Sequence, residues 1–252
     1  MDIKFCVSLT TIPSRVKSVY KTIESIQNQT LKPNKIYLSI PYKYKRFQNL
    51  EIDESDIKDI KFKNLEIIRC EDYGPATKLI GAIKETRDFD CVILLDDDHL
   101  YDKNICEIFI QQFKVKPINY SFHLNKIFNI KMGQCADGFL INTKYLDKIE
   151  EFYFTYVLKN KNLFHDDDLW LALYLYFIKS TTIENLLNLF QMKTNKRIVY
   201  RQHDNKDIDA LHQTIHKTKF FLNRRKIQKI EYIKILTTLT LKKIFNNRKI
   251  KN

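Results

Sequence analysis

Cys91-Val92-Ile93-Leu94-Leu95, bounded by Asp90 on one side and Asp96-Asp97-Asp98 on the other, is the most strand-like run in this 252-residue sequence. Five consecutive apolar residues predict a central parallel strand covered on both faces, since a half-exposed strand would alternate with period two. Outward from it, Lys4–Leu9 (KFCVSL) reads as a second buried strand. After Pro13 the spacing turns helical, with Val16, Val19, Tyr20, Ile23 and Ile26 on one face. Lys35–Ile40 (KIYLSI), closed by Pro41, and Asn64–Arg69 (NLEIIR) predict two further strands. Gly74-Pro75 predicts a helix with proline at its first position and Leu79, Ile80 and Ile83 turned inward, and a helix over Asn104–Phe113 follows the central strand. Strand alternating with helix predicts an α/β fold, a doubly wound sheet with right-handed crossovers. Later the pattern weakens: Tyr120–Gln134 reads as loop-like and partly amphipathic, Gly138–Asn142 as a strand, and a helix begins beside Asp166 and runs to about Lys179.

With 44% hydrophobic, 13% aromatic and 29% charged residues, the chain can bury a core and is neither disordered nor fibrous. Cys6, Cys70, Cys91, Cys106 and Cys135 are odd in number and contain no C-x-x-C pair, so they read as small buried hydrophobes of a reducing compartment. Phe5–Leu9 is too short for the apolar part of a signal peptide. The longest apolar run, the ten residues Leu169–Ile178, is half the ~20 a membrane span needs, so a cytoplasmic protein with no transmembrane segment is expected. The net charge of +13 is unevenly placed. Residues 217–252 hold twelve Lys or Arg against the single acid Glu231, leaving +2 for residues 1–216. The expected organisation is a domain over 1–216 and a basic, helical extension over 217–252. Phe221, Ile227, Ile230, Ile233, Leu236 and Ile244 give that extension near-helical spacing, which suits packing on the domain or contact with an anionic membrane surface; nucleic acid is disfavoured.

The chemistry-bearing residues cluster at predicted element ends. Asp96, Asp97 and Asp98 follow the central strand at its carboxyl end, where open α/β sheets gather ligands. Alternation puts Asp96 and Asp98 on one side and Asp97 on the other, and two converging hard oxygens suit Mg²⁺ or Mn²⁺ better than Zn²⁺. His99 abuts them, and His203 is a further candidate metal ligand. Asp166, Asp167 and Asp168 stand at a helix start, where capping explains one carboxylate and general-base work would explain another. Asp72 to Lys78 (DYGPATK) forms a turn into a helix start, with Lys78 a point charge for a phosphate. Thr10, Thr11, Pro13 and Arg15 leave the first strand at the same sheet edge, and Gly138 is expected close to a ligand, since glycine permits close backbone approach. No G-x-S-x-G, P-loop, H-E-x-x-H or G-x-G-x-x-G occurs.

In order, these pieces resemble the GT-A type nucleotide-sugar glycosyltransferases, in the family 2-like group found in bacteria and large DNA viruses. The resemblance runs from Lys4 to His203: TTIPSR as the nucleoside-contacting turn, TIESIQNQTLKPNKIYLSIP as first helix and second strand, Asp96–Asp98 as the D-x-D motif, Ala136-Asp137-Gly138-Phe139 as the acceptor-side strand, and HDDDLWL as the base-bearing helix start, with Asp where Glu-Asp is usual. It implies a GT-A, Rossmann-like mixed sheet flanked by helices. It also implies transfer of a sugar from a nucleotide diphosphate sugar, UDP-linked, to a hydroxyl of a glycan, lipid-linked or protein acceptor, with inversion. Thr10, Thr11, Pro13, Arg15, Asp72, Lys78, Asp96 and Asp97 would hold the donor, Asp98 with Asp96 the metal, and Asp167 is favoured as base over Asp166 and Asp168. A sugar nucleotidyltransferase would carry a Gly-rich loop after the first strand, which SLTTIPSRV lacks. A non-catalytic adaptor would act through the basic extension alone.

Overall fold

The computed structural model describes residues 2–194, 199–201 and 223–249. Its frame is four parallel strands, β1 (Phe5–Thr10), β2 (Lys35–Pro41), β3 (Leu65–Cys70) and β4 (Cys91–Leu94), hydrogen-bonded in the order β3-β2-β1-β4. Beyond β4 the sheet continues through β9 (Phe139–Asn142), β6 (Asn119–Ser121) and β10 (Ile183–Asn185), with β9 antiparallel to both neighbours. The decisive run behaves as its composition requires. Cys91, Ile93 and Leu95 enter one hydrophobic core, Val92 and Leu94 the other, and all five are buried. Neither face of this strand meets water.

The first core lies under α1 (Val19–Gln27), α5 (Ile105–Val115) and α9 (Leu187–Thr194), with Ile23, Ile26, Phe109 and Phe190 fully buried. The second lies under α3 (Thr77–Ile80), α4 (Ile83–Thr86) and α8 (Asp167–Phe177), centred on Leu79, Ile83, Trp170 and Leu173. Full burial of each such side chain contributes about 1.5–3 kcal/mol. Smaller elements complete the chain: α2 (Glu54–Ile57), β5 (His99–Tyr101), β7 (Leu124–Ile127), β8 (Ile130–Gly133), α6 (Ile149–Phe152), α7 (Lys161–Phe164) and β11 (Val199–Arg201). A final helix, α10 (Arg224–Lys249), packs on α7 and α8 through buried Gln228, Glu231 and Ile235, with Tyr232 against Phe128 and Phe177. Among the described residues no helix is long and apolar enough to cross a membrane.

Three expectations are corrected. Tyr120–Gln134 is not a loop: it holds the end of β6 and the antiparallel hairpin β7–β8, missed because the strands are short and Phe128, at φ +51°, turns where no glycine signals it. The Gly74-Pro75 helix is broken, running as a 3-10 turn (Gly74–Ala76), then α3, then α4. Tyr20 is exposed, and the inward position belongs to Thr22, whose hydroxyl donates to the carbonyls of Asp97 and His99, both at 2.8 Å. A hydropathy pattern cannot see a threonine buried for its hydrogen bonds.

Gly74 brings the turn before α3 against the end of α7. Its φ of +64° suits glycine, and a Cβ there would stand 2.6 Å from the Phe164 carbonyl oxygen. Gly74→Ala is expected to lower stability in denaturant unfolding by about 1–3 kcal/mol, through backbone strain and displacement of the Phe164 segment.

Candidate active site

β1 leads on to β2 at one side while β4 lies against its other side, so the sheet has a switch point between β1 and β4. A crevice is expected at their carboxyl ends. The segments arriving there are Thr10–Arg15 and Asp96–His99.

Asp97 turns inward and is 5% exposed. One oxygen accepts from the Thr11 hydroxyl at 2.7 Å and the other from Arg15 Nη1 at 2.5 Å. Burial pushes its carboxyl up, and Arg15 opposes that shift without cancelling it. Asp97 therefore bolts the acidic turn to the first strand's exit. Asp96 and Asp98 are only half-buried; Asp97 and Asp98 lie in a turn rather than an extended strand, so strict alternation does not hold there and Arg15 reaches both. Asp98 lies 3.3 Å from Arg15 Nη1 and 2.7 Å from His99 Nδ1. Burial alone would pull the His99 imidazole down, but the Asp98 carboxylate outweighs it and the net shift is upward. The Asp96 amide donates to Tyr101 Oη at 2.9 Å, and its carboxylate is held by the Lys78 ammonium.

Lys78 carries the site across to its second wall. Its side chain is 5% exposed, its carbonyl accepts from the Ser8 hydroxyl, and its ammonium, bonded to Asp96, is also 3.0 Å from an Asp167 oxygen. Desolvation favours the neutral amine, but Asp167 and Asp96 together raise its pKa well above the usual 10.5, so it stays charged. At this second wall Asp166 caps α8, accepting from the Leu169 amide at 3.3 Å, and is wholly buried beneath Arg224 and Gln228. Asp167 keeps 16% of its side chain exposed, and Asp168 18%. Asp168 accepts from the Cys135 amide at 3.2 Å, and its carboxyl is raised by burial and by its two acidic neighbours.

The structure thus brings Arg15, Lys78, Asp96, Asp97, Asp98, Asp166, Asp167 and Asp168 into one region. Thr10 and Thr11 line its floor with their hydroxyls engaged, Thr10 donating to the Ser39 carbonyl at 2.7 Å, and Pro13 is half-buried in the same turn. Asp72 is fully buried and accepts from the Gly74 amide at 2.8 Å; its other oxygen has no hydrogen-bond partner, nor does Nε of Arg46, 4.0 Å from its paired oxygen. Gly138, at φ +103°, faces Phe109 and Leu95, so its conformation serves packing. His203 lies outside the described residues; the chain last described before it, Arg201, pairs with His99 across β11 and β5. Arg46, Tyr101, Arg224 and Gln228 were not legible as site residues: no local pattern marks them, and Arg224 lies in a run of basic residues 56 positions beyond Asp168.

Asp96, Asp98 and His99 each offer one ligand atom, all within 4.8 Å of one another. Two carboxylates and an imidazole fit Mg²⁺ or Mn²⁺. Cys135, Asp167 and Asp168 form a second such group, but burial holds the Cys135 thiol protonated, which does not fit a metal thiolate.

No family model and no curated protein matches this sequence. Solved structures do. Residues 1–349 of S. aureus TarS in complex with UDP superpose with a TM-score of 0.51 at 13% identity, covering 92% of this chain and 71% of that one, and the complex with UDP-GlcNAc gives the same TM-score. The galactosyltransferase LgtC, in complex with donor and acceptor sugar analogs, gives 0.52 at 11% identity, covering 84% of this chain and 94% of that one. The fold is therefore the GT-A-like mixed sheet that the sequence led us to expect.

Replacing Lys78 by Met leaves Asp96 and Asp167 facing each other without their shared cation. A loss of about 2–4 kcal/mol is expected in denaturant unfolding, less than for a fully buried pair because Asp96 is one-third exposed. The folded lysine pKa is raised, so its contribution is present below 10.5 and lost only as pH climbs through the higher folded value. The difference between parent and variant should therefore hold steady from about pH 7 to about pH 10.

Proposed function

We propose that this protein is a glycosyltransferase that moves a sugar from a UDP-linked donor to an acceptor hydroxyl with inversion at the anomeric carbon. The observation that carries this reading is the Lys78 ammonium set between Asp96 and Asp167 at the sheet's switch point, in a fold shared with a galactosyltransferase and with a protein solved with UDP-GlcNAc. An anionic diphosphate needs cations on one side, and an attacking hydroxyl needs a carboxylate on the other.

In the proposed step the acceptor oxygen bonds to the anomeric carbon as the bond to the diphosphate oxygen breaks, and the hydroxyl proton passes to Asp167. Asp167 suits this role because one oxygen is buried against Lys78 while its side chain keeps an exposed edge. Asp166, sealed beneath Arg224, lacks that access. Lys78 and Arg15, held in place by their carboxylate partners, meet the charge developing on the leaving diphosphate. Asp96 and Asp98, with His99 beside them, would hold Mg²⁺ or Mn²⁺, which when bound supplies further positive charge against that diphosphate. Asp72 and Arg46, whose buried unpaired atoms call for a partner, suit the nucleoside end. The acceptor is a glycan, a lipid-linked sugar or a protein.

The outer side of α10 favours an anionic membrane as the place of work. Ile230, Ile233, Leu236 and Leu241 are exposed there among Lys226 and Lys229, opposite the face packed on the domain.

A thermal-shift series tests the donor and metal: UDP or UDP-GlcNAc with Mn²⁺ should raise Tm by roughly 5–10 °C at about 100-fold over Kd. Asp98→Asn should remove the Mn²⁺-dependent part, and no response to any nucleotide sugar, with or without metal, would overturn the reading. Turnover assays test the base. Asp167→Asn should lower kcat by about 10²-fold or more, and a deeper loss in Asp168→Asn would move the role to that residue. Co-sedimentation with phosphatidylserine vesicles tests the outer face, where Ile230→Asp with Ile233→Asp should abolish binding and leave Tm unchanged; equal binding would refute the membrane contact.

A further inference from the structure

The inner edge of α10 is polar where a packed helix is usually apolar. Arg224, Gln228, Glu231 and Ile235 fall on one side at helical spacing. Arg224 grips Asp166 with two bonds, Nε to Oδ2 at 3.0 Å and Nη2 to Oδ1 at 2.8 Å, and the same Nη2 stands 3.7 Å from Asp168. Gln228 adds a third bond to Asp166 at 2.7 Å. One helical turn further on, Glu231 accepts from the side-chain amides of Asn160 at 2.6 Å and Asn162 at 2.8 Å. Asp166 is the N-cap of α8, and Asn160, through its side-chain oxygen, is the N-cap of α7. One helix therefore holds the caps of both helices that flank the acidic cluster.

We infer that Arg224, supported by Gln228, is a positioning residue for glycosyl transfer, so that α10 is a working part of the active site. The inference rests on the reading given above. Three adjacent carboxylates repel, and capping engages only one oxygen of Asp166, through the long bond from the Leu169 amide. The guanidinium cancels one charge, ties its carboxylate from behind and thereby sets the first turn of α8, leaving Asp167 to meet Lys78 from the front. A fork with two parallel bonds fixes direction as well as charge, which an ammonium cannot do.

The test uses the full chain carrying Arg224→Ala, Arg224→Lys or Gln228→Ala, with Arg225→Ala, the exposed neighbour on the same helix, as control. Two readouts are taken: steady-state transfer, and hydrogen exchange at the Leu169 and Trp170 amides, which bond to Asp166. Arg224→Ala should lower kcat by about 10–100-fold with donor KM changed less than about threefold, because misplacement costs rate rather than donor binding. Exchange at the two amides should rise about tenfold as the cap loosens. Arg224→Lys should recover part of kcat, Gln228→Ala should show a smaller loss, and Arg225→Ala none. Unchanged kcat in folded Arg224→Ala, or equal loss of kcat and donor affinity without recovery in Arg224→Lys, would overturn the inference. If the parent transfers no sugar, the functional reading fails by itself; the exchange measurement still decides the clamp, and unchanged exchange would remove it.

Discussion

A single buried ammonium, that of Lys78, joins the two acidic walls of this protein. Without it, Asp96 at the end of the central strand and Asp167 at the start of α8 would face each other as like charges in partly buried surroundings. Much of the second layer serves to deliver that lysine. Ser8 holds its carbonyl, Gly74 lets its turn approach the Phe164 backbone, and Tyr153 fixes the preceding loop by donating to the Tyr73 carbonyl at 2.8 Å. Burial would favour a neutral amine, yet two carboxylates keep it charged. The site therefore holds a fixed ammonium before any ligand arrives, the preorganisation on which the proposed transfer would draw.

The two aspartate triplets share one plan. Each commits one member to the interior and neutralises it with an arginine: Asp97 with Arg15, Asp166 with Arg224. Each then leaves two members half-buried at the crevice. Six carboxylates of identical chemistry are separated by burial: Asp97 and Asp166 are sealed in as anchors, and the other four keep an exposed edge. The anchors relieve the repulsion that would otherwise scatter the clusters, a division on which the proposed cation site and base both rest.

The basic extension also changes meaning in three dimensions. Its one acid, Glu231, is the residue that docks against Asn160 and Asn162, and hydrogen bonds from those amides hold its carboxyl below the usual range against the opposing effect of burial. Its first arginine pair is likewise divided, Arg224 turned to Asp166 and Arg225 left exposed. Net charge described this segment as an appendage, whereas its contacts make it the back wall of the acidic cluster.

The sequence by itself determined the parallel half of the sheet, β1 to β4, and the strand β9 beside it. CVILL predicted a strand buried on both sides, the strand–helix alternation of the first 115 residues predicted the parallel order of β1 to β4, and triplets of aspartate marked the element ends that come together. These are properties of short windows, where periodicity and end chemistry are visible. Three features needed the tertiary structure: the pairing of Lys78 with a carboxylate 89 residues away, the internal engagement of Thr10, Thr11 and Asp97, and the closing of Arg224 on Asp166. Each depends on which distant side chains are brought together when the apolar faces pack. No local pattern encodes that, because a buried lysine and a solvated one look alike until the fold decides which carboxylates surround them.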